Sequence, residues 1–304
     1  DASTNHHAVN TSIGSTRNLF VNKTDYEEGQ AQSVKSIQSD GFTLGTWDGD
    51  NVNAKNFVAW QWKANGGTTT AFSESGNNPG GTYQANTTAG FSIVTYTGTG
   101  AAGTVTHGLG VAPKLIIIKN RDVADPWAVY YGDATDYLVL NTTAATVDNA
   151  AWWNDTAPSS TVFTVNTDHS VNADAEAYVA YCFTETQGYS KFGTYYGNAN
   201  VDGEFVYLGF KPAFVMVKVL SDPNYGWVIA DNKRGPFNEN DPSVYANSDA
   251  AETTNDFNGD FLSNGFKLHG TTYPANSGGT NTFAYFAWAE NPFVTSTGIP
   301  ATAR

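Results

Sequence analysis

The chain has 304 residues, of which 14 % are charged, 14 % are aromatic and 30 are glycine, and its formal net charge is −14. That balance excludes nucleic acid as the main partner, because phosphate binding needs clustered Lys and Arg. Hydrophobic residues reach 40 % but lie in short runs, which excludes a disordered chain and leaves no helical stretch long enough for membrane insertion.

The first predicted elements lie in residues 1–64. Asp40-Gly41-Phe42-Thr43-Leu44 reads as a strand, and Phe57-Val58-Ala59-Trp60-Gln61-Trp62 as a longer apolar one. Residues 65–89 are polar and rich in Gly, Asn and Thr, the composition of a linker. Strands are then predicted at 91–96, 104–107, 114–119, 127–131, 137–141, 162–165 and 176–183, separated by Gly, Asn, Asp and Pro clusters. Residues 142–148 read as a single helical turn; helical periodicity is otherwise nearly absent.

From residue 188 the pattern repeats. Gly90-Phe91-Ser92 matches Gly188-Tyr189-Ser190, and Tyr96-Thr97-Gly98 matches Tyr195-Tyr196-Gly197. The run Pro113 to Lys119 has the length of Pro212 to Lys218, and a Trp strand follows in each, at Trp127 and Trp227. Each copy closes on an apolar strand, at 178–183 and 285–290; residues 57–62 carry the same close. The interval from Phe42 to Phe57 equals that from Phe163 to Tyr178. The predicted organisation is therefore a back half-module at 1–64, a linker at 65–89, modules at 90–187 and 188–293, and a tail at 294–304. A module without its opening strands leaves apolar sheet surface uncovered, so the chain is expected to be cut from a longer one.

About seven short strands per copy predict an all-β fold of tandem β-sandwich modules, jelly-roll-like, with a concanavalin-like form among the options. The closing strand is apolar on both faces and should be central, with 115–118 pairing beside it.

Chemistry is sparse. No Gly-x-Ser-x-Gly elbow and no Gly-Lys-Ser/Thr phosphate loop occurs. Asp133, Asp136, Glu176, Asp231 and Glu290 are the carboxylates from which a glycosidase pair could be drawn. Asp133 and Asp231 recur after the Trp strands, which favours turn formers over catalysts. Asp48-Gly49-Asp50-Asn51 and 255–260 are acidic loops that could take Ca²⁺, but neither has the full EF-hand spacing. No other cofactor or metal and no catalytic residue is expected. The single Cys182 lies among apolar neighbours and reads as a buried, inert thiol. Trp47, Trp152, Trp153 and Tyr225 fall outside the core strands beside Asp, Asn and Gly. Rings in that setting can form platforms for a glycan or protein contact, since a ring face covers sugar C–H groups.

Gly90-Phe91-Ser92-Ile93-Val94, Tyr96-Thr97-Gly98-Thr99-Gly100, His107-Gly108-Leu109-Gly110 and Ala112-Pro113-Lys114 carry a resemblance. So do Ile118-Lys119-Asn120-Arg121, Phe261-Leu262-Ser263-Asn264-Gly265-Phe266-Lys267 and Ala289-Glu290-Asn291-Pro292-Phe293. Together they resemble a module of marine bacteriophage virion structural proteins of the tail-fibre type. The resemblance implies a virion, extracellular location and a structural role near the host-contact apparatus. It implies self-association, often as a trimer, contacts with other virion proteins, and attachment to a host cell-surface glycan or protein. It implies no catalytic residue. The rival expectations are a virion glycan-degrading enzyme and a bacterial adhesin or filament subunit.

Overall fold

Short apolar runs bounded by turn formers become most of the strands among the described residues. The computed structural model describes residues 4–271, 274–278 and 281–289. They form two units. The first holds the residues up to Asn141 together with Val147–Thr184; the second holds Thr142–Thr146 and the residues from Glu185 on.

In the first unit, β1 (His7–Asn10), β2 (Gly14–Phe20) and β3 (Glu28–Gly29) form a small sheet, and β4 (Val34–Ile37) pairs with β5 (Phe42–Leu44). Then come β6 (Thr70–Phe72), β7 (Gly81–Asn86), β8 (Phe91–Thr97), β9 (Gly103–Thr106), β10 (Leu115–Asn120), β11 (Ala128–Tyr130), β12 (Asp136–Val139) and β13 (Val147–Asp148). Helix α1 (Ala150–Trp153), β14 (Val162–Val165), helix α2 (His169–Asn172) and β15 (Ala177–Phe183) complete it. An eight-stranded antiparallel sheet, in the order β13-β12-β11-β10-β15-β8-β7-β6, faces the pair β14-β9. The core between them holds Val94, Tyr96, Val105, Ile116, Ile118, Phe163 and Tyr178. Each such aliphatic side chain contributes about 1.5–3 kcal/mol by leaving water.

The second unit contains β16 (Ser190–Tyr196), β17 (Phe205–Tyr207), β18 (Pro212–Val219), β19 (Val228–Asp231), β20 (Ser243–Tyr245), β21 (Gly259–Leu262), β22 (Gly265–Leu268) and β23 (Thr282–Ala289). Its five-stranded sheet, β16-β23-β18-β19-β20, faces β17-β22-β21. The core holds Tyr195, Val215, Val217, Phe266, Phe283 and Tyr285. Both units are therefore β-sandwiches of antiparallel sheets. The closing strands β15 and β23 are each paired on both sides, β15 between β10 and β8 and β23 between β18 and β16, beside the expected apolar neighbour; β15 is central in its sheet, whereas β23 lies second from the end of its sheet among the described residues, where β18 is central.

The structure differs from expectation in three places. Residues 57–62 form no strand, and Phe57 is exposed. In the full modules that run is paired on both sides; the small sheets of residues 7–44 offer it no such neighbours. Residues 65–89 are not a plain linker: β6 and β7 extend the main sheet beyond β8, and Phe72 and Tyr83 pack on the core. Residues 142–148 form no helical turn. The helix falls later, at α1, where Asn149 caps Ala151 N at 3.0 Å and Asn154 closes it in the left-handed region.

Residues 7–62 pack on the outer side of the eight-stranded sheet. Trp127 Nε1 donates to Phe20 O at 2.9 Å, Asn10 Nδ2 to Tyr181 Oη at 2.8 Å, and Trp62 meets the Phe183 ring edge-on. Arg121 Nε donates to Glu27 Oε2 at 2.6 Å.

Polar side chains that grip backbone recur at matched positions. The side-chain oxygens of Asn22, Asn141 and Asn247 accept from the backbone N–H of His6, Trp127 and Trp227, at 3.0, 2.9 and 2.8 Å. The residue before each Asn returns a backbone bond to the same partner. Lys119 and Lys218, fully buried, each donate to three carbonyls. Lys119 Nζ reaches Thr24 O (3.0 Å), Asn120 O (2.8 Å) and Val123 O (3.4 Å). Lys218 Nζ reaches Thr143 O (3.0 Å), Val219 O (2.7 Å) and Tyr225 O (2.9 Å). Thr24 and Thr143 each lie two residues past a clamping Asn. Burial pulls both ammonium groups down to about 8, with nearby carboxylates opposing it. Asn172 and Asn276 form a third matched pair, accepting from Thr99 N at 2.9 Å and Asn198 N at 3.0 Å.

Candidate functional site

A concave feature with exposed rings lies in the second unit, between β16 and β17. It is a groove of about 480 Å³ lined by Thr194, Tyr195, Tyr196, Glu204, Phe205, Val206, Tyr207 and Tyr285. Tyr195 and Tyr285 form its floor: both are buried, and Tyr195 Oη donates to Ala275 O at 2.7 Å. Its rim is apolar and open. Tyr196 is 69 % exposed, Tyr207 59 % and Phe205 39 %. Lys191 Nζ donates to Tyr207 O at 2.7 Å and lies 5.2 Å from the Tyr207 ring centre.

Comparison with the first unit explains why these rings are unusual. Val105 faces Phe163 across β9 and β14; Val206 faces Phe266 across β17 and β22. This register places Thr104 and Thr106 where the second unit has Phe205 and Tyr207. Tyr96-Thr97-Gly98 likewise places Thr97 at Tyr196. Three outward threonines have become three aromatic residues, while the inward residues keep their type. Strand alternation separates the two sets cleanly.

The first unit also closes this opening. β7 pairs with β8 from Gly81 opposite Tyr96 to Asn86 opposite Phe91. The tip of the β6–β7 hairpin is fastened by Thr99 Oγ1, which donates to Asn77 O at 2.8 Å, and by Thr104 N, which donates to Asn78 Oδ1 at 2.9 Å. The Tyr83 ring lies against Gly108, where a Cβ would collide with it. In the second unit, among the described residues, β16 ends its sheet and no hairpin pairs beside it.

The aromatic residues singled out from sequence fall elsewhere. Trp152 and Trp153 are not exposed platforms: they are 4 % and 2 % exposed, in the core of the first unit. The α1 turn directs both rings inward, and Tyr137 stacks on Trp152 at 3.7 Å. Trp47 is half-buried, stacked on His7 at 4.6 Å, with Gly49 against its ring. Tyr225 is half-buried, packs on the second core and gives its carbonyl to Lys218. None of these four lines the groove. The rings that do are on strands, and reading for loop aromatics passed over them. The signal was present as Thr97, Thr104 and Thr106 against Tyr196, Phe205 and Tyr207.

The carboxylates are engaged locally. Asp133 Oδ1 accepts from Thr135 N at 3.0 Å, and Asp231 Oδ1 accepts from Lys233 N and Arg234 N at 2.9 Å, so both cap turns. Asp231 also pairs with Arg234 at 2.6 Å. Asp136 accepts from Tyr131 Oη at 3.2 Å. Glu176 shares Asn120 Nδ2 with Asp125, a neighbour not foreseen from sequence; burial raises the Asp125 carboxyl, with the Glu176 charge adding to that. Glu290 lies outside the described residues. In the acidic loops Asp50 accepts from Ser33 Oγ and Asp256 from Thr253 Oγ1, while Asp260 meets His269 Nε2 at 2.9 Å. Among the described residues no three His, Cys, Asp or Glu side chains gather as a metal site. His107 is buried, donating from Nε2 to Ser159 O at 3.2 Å and accepting from Leu109 N. Cys182 is buried, and desolvation pushes its thiol far up, so it is a packing residue.

Residues 1–292 match the model of a domain of unknown function, DUF7483, and the chain belongs to that family. No curated protein and no solved structure matches the chain.

Proposed function

We propose that this member of the DUF7483 family is a non-catalytic structural component of a phage particle, part of a tail fibre or other surface appendage that contributes to attachment. The second unit supplies its contact surface. The observation that carries the reading is the division of labour between the two sandwiches. Their cores and backbone clamps are held in common, whereas the second carries an aromatic-rimmed groove that, among the described residues, has no counterpart at the matched strands of the first. A catalyst needs a constellation aimed at one reacting atom, whereas these carboxylates cap turns or hold neighbouring side chains. Repeated rigid modules with one differentiated surface suit a part that extends and touches. The resemblance to virion modules supplies the setting.

The test is immunogold labelling of phage particles with antibody raised against the purified chain. Label confined to tail appendages is the expected result. Label spread over the capsid, or depolymerisation of a polysaccharide by the purified chain, overturns the proposal.

A further inference from the structure

We infer that the loop 248–252 is a docking element for a further β-sandwich of the same build. The strand of that partner equivalent to β10 ends in Lys-x-Arg, and its buried lysine is not already filled by a loop of its own chain.

The chain makes this contact twice. Asn22, Asn141 and Asn247 are the clamping residues, and the residue four before each pairs with the residue six after it: Asn18 with Glu28, Tyr137 with Val147, Ser243 with Thr253. The loops that follow the three Asn, 23–27, 142–146 and 248–252, are therefore equivalent position by position. In the first two loops the second residue gives its carbonyl to a buried lysine, Thr24 to Lys119 and Thr143 to Lys218. The fifth residue donates its backbone N–H to the carbonyl two residues past that lysine: Glu27 N to Arg121 O at 2.9 Å, and Thr146 N to Leu220 O at 3.0 Å. Each loop thus follows the clamp of one repeat and is gripped by the lysine of the next, and loop 142–146 belongs to the second unit for that reason.

The third loop has the same form without the grip. Asp249 and Glu252 stand at the two gripped positions. Among the described residues Asp249 O and Glu252 N enter no hydrogen bond, and residues 249–252 are all exposed. Ala250-Ala251 repeats Ala144-Ala145, so the middle of the loop presents main chain rather than bulk. A free carbonyl and a free N–H at this spacing are the two groups that a lysine cradle takes up.

Main-chain bonds give the grip, and the side chain at the fifth position gives the selectivity. Glu27 Oε2 accepts from Arg121 Nε at 2.6 Å, two residues past Lys119. Thr146 stands against Leu220, which carries no charge. Glu252 is acidic like Glu27, so the cradle that fits it carries Arg two residues past the lysine. Glu27 also lies 3.6 Å from Arg17 in its own small sheet, and Glu252 lies 3.2 Å from Arg234 in its own unit. An Arg on the loop's own side therefore leaves room for a second across the joint. Lys119 and Lys218 are already filled, so an intact second copy of this chain is not the occupant.

The experiment uses a whole-chain copy with an emptied Lys-x-Arg cradle as the probe. Residues 23–27 replaced by Gly-Gly-Gly-Gly-Pro lose the Glu27 N–H, its carboxylate and the stiffness of the loop, which leaves Lys119 and Arg121 open. This copy, fluorescently labelled at about 10 nM, is sedimented with unlabelled parent chain at up to about 100 µM, a range that detects even weak specific association. The expected result is a saturable shift from 32.5 kDa to twice that mass. Glu252→Pro in the unlabelled chain removes both the N–H and the carboxylate and abolishes the shift. Glu252→Gln keeps the N–H and weakens binding about tenfold. No shift overturns the inference, as does a shift that survives Glu252→Pro or one that a labelled copy with residues 23–27 intact gives equally. If the emptied copy fails to fold, exchange of loops within the chain decides. Ser-Asp-Ala-Ala-Glu, the sequence of 248–252, in place of 23–27 should melt at least about 2 °C above Thr-Thr-Ala-Ala-Thr, from 142–146, in the same place. Equal midpoints overturn the inference. None of these outcomes alters where the antibody labels the particle, so the two proposals fail separately.

Discussion

Replacing Lys218 by Met tests whether the buried lysines hold the fold or merely fit within it. Met keeps most of the stem volume and removes the donor. Three carbonyls, of Thr143, Val219 and Tyr225, then lose bonds of 3.0, 2.7 and 2.9 Å. A buried acceptor left unpaired costs about 1–3 kcal/mol. Two of the three are only partly buried and can regain water, and removing an ammonium from the interior relieves several kcal/mol of desolvation. The net expected loss is about 2–4 kcal/mol for Lys218→Met. Lys119→Met should cost less, because its Val123 contact is already long at 3.4 Å. Urea unfolding followed by tryptophan fluorescence measures both, with the slope m as the check on two-state behaviour. Buried charges elsewhere can be exchanged for apolar residues with no loss. A Lys218→Met chain as stable as the parent would show that the carbonyls find other partners, and the reasoning would be wrong.

Other consequences are equally open to measurement. Burial, reinforced by the His6 charge, pulls His7 down to about 4, and Asp50 at 3.9 Å is too distant to reverse this. The unfolded chain takes that proton near 6.5, so the His7 contribution is full above pH 6.5 and fades towards pH 4, by about 3 kcal/mol in all. His7→Gln should flatten this part of the stability profile, and an unchanged slope would reject the assignment. Gly98→Ala and Gly197→Ala press a Cβ onto the carbonyls of Ala173 and Ser277 and should each lower stability by more than about 2 kcal/mol in thermal melts. Trp152→Ala should cost about 3–5 kcal/mol, as for a core aromatic, and Tyr196→Ser less than about 0.5 kcal/mol; equal effects would contradict the burial described. Cys182 should react with a thiol reagent only as fast as the first unit opens, and prompt labelling in native buffer would refute its inert role.

Much of the fold could be read before any coordinates. The strand positions of residues 91–183 follow from alternation and turn residues, and the pairing of β15 and β23 on both sides from their being apolar on both faces, although β23 is second from the end of its sheet among the described residues rather than central. What escaped was non-local. Residues 57–62 have a strand's composition without strand neighbours, and residues 81–86 have a linker's composition with a strand, β8, to pair against. Trp152 and Trp153 looked like loop residues because a four-residue helix gives no periodic signal. The buried lysines were visible only as equal spacing from Pro to Lys, since their partners are backbone atoms from distant segments. The groove was legible as differences between copies, but on strands rather than in the loops where differences were sought.

The lysine clamps bear on how such modules can diversify. Lys119 and Lys218 hold main-chain oxygens, and every residue type carries one. The loops they fasten, around Thr24, Val123, Thr143 and Tyr225, can therefore exchange side chains without losing their anchor. A lineage under pressure to alter its outer surface could rewrite those loops one residue at a time, while the frame that presents them tolerates each new spelling.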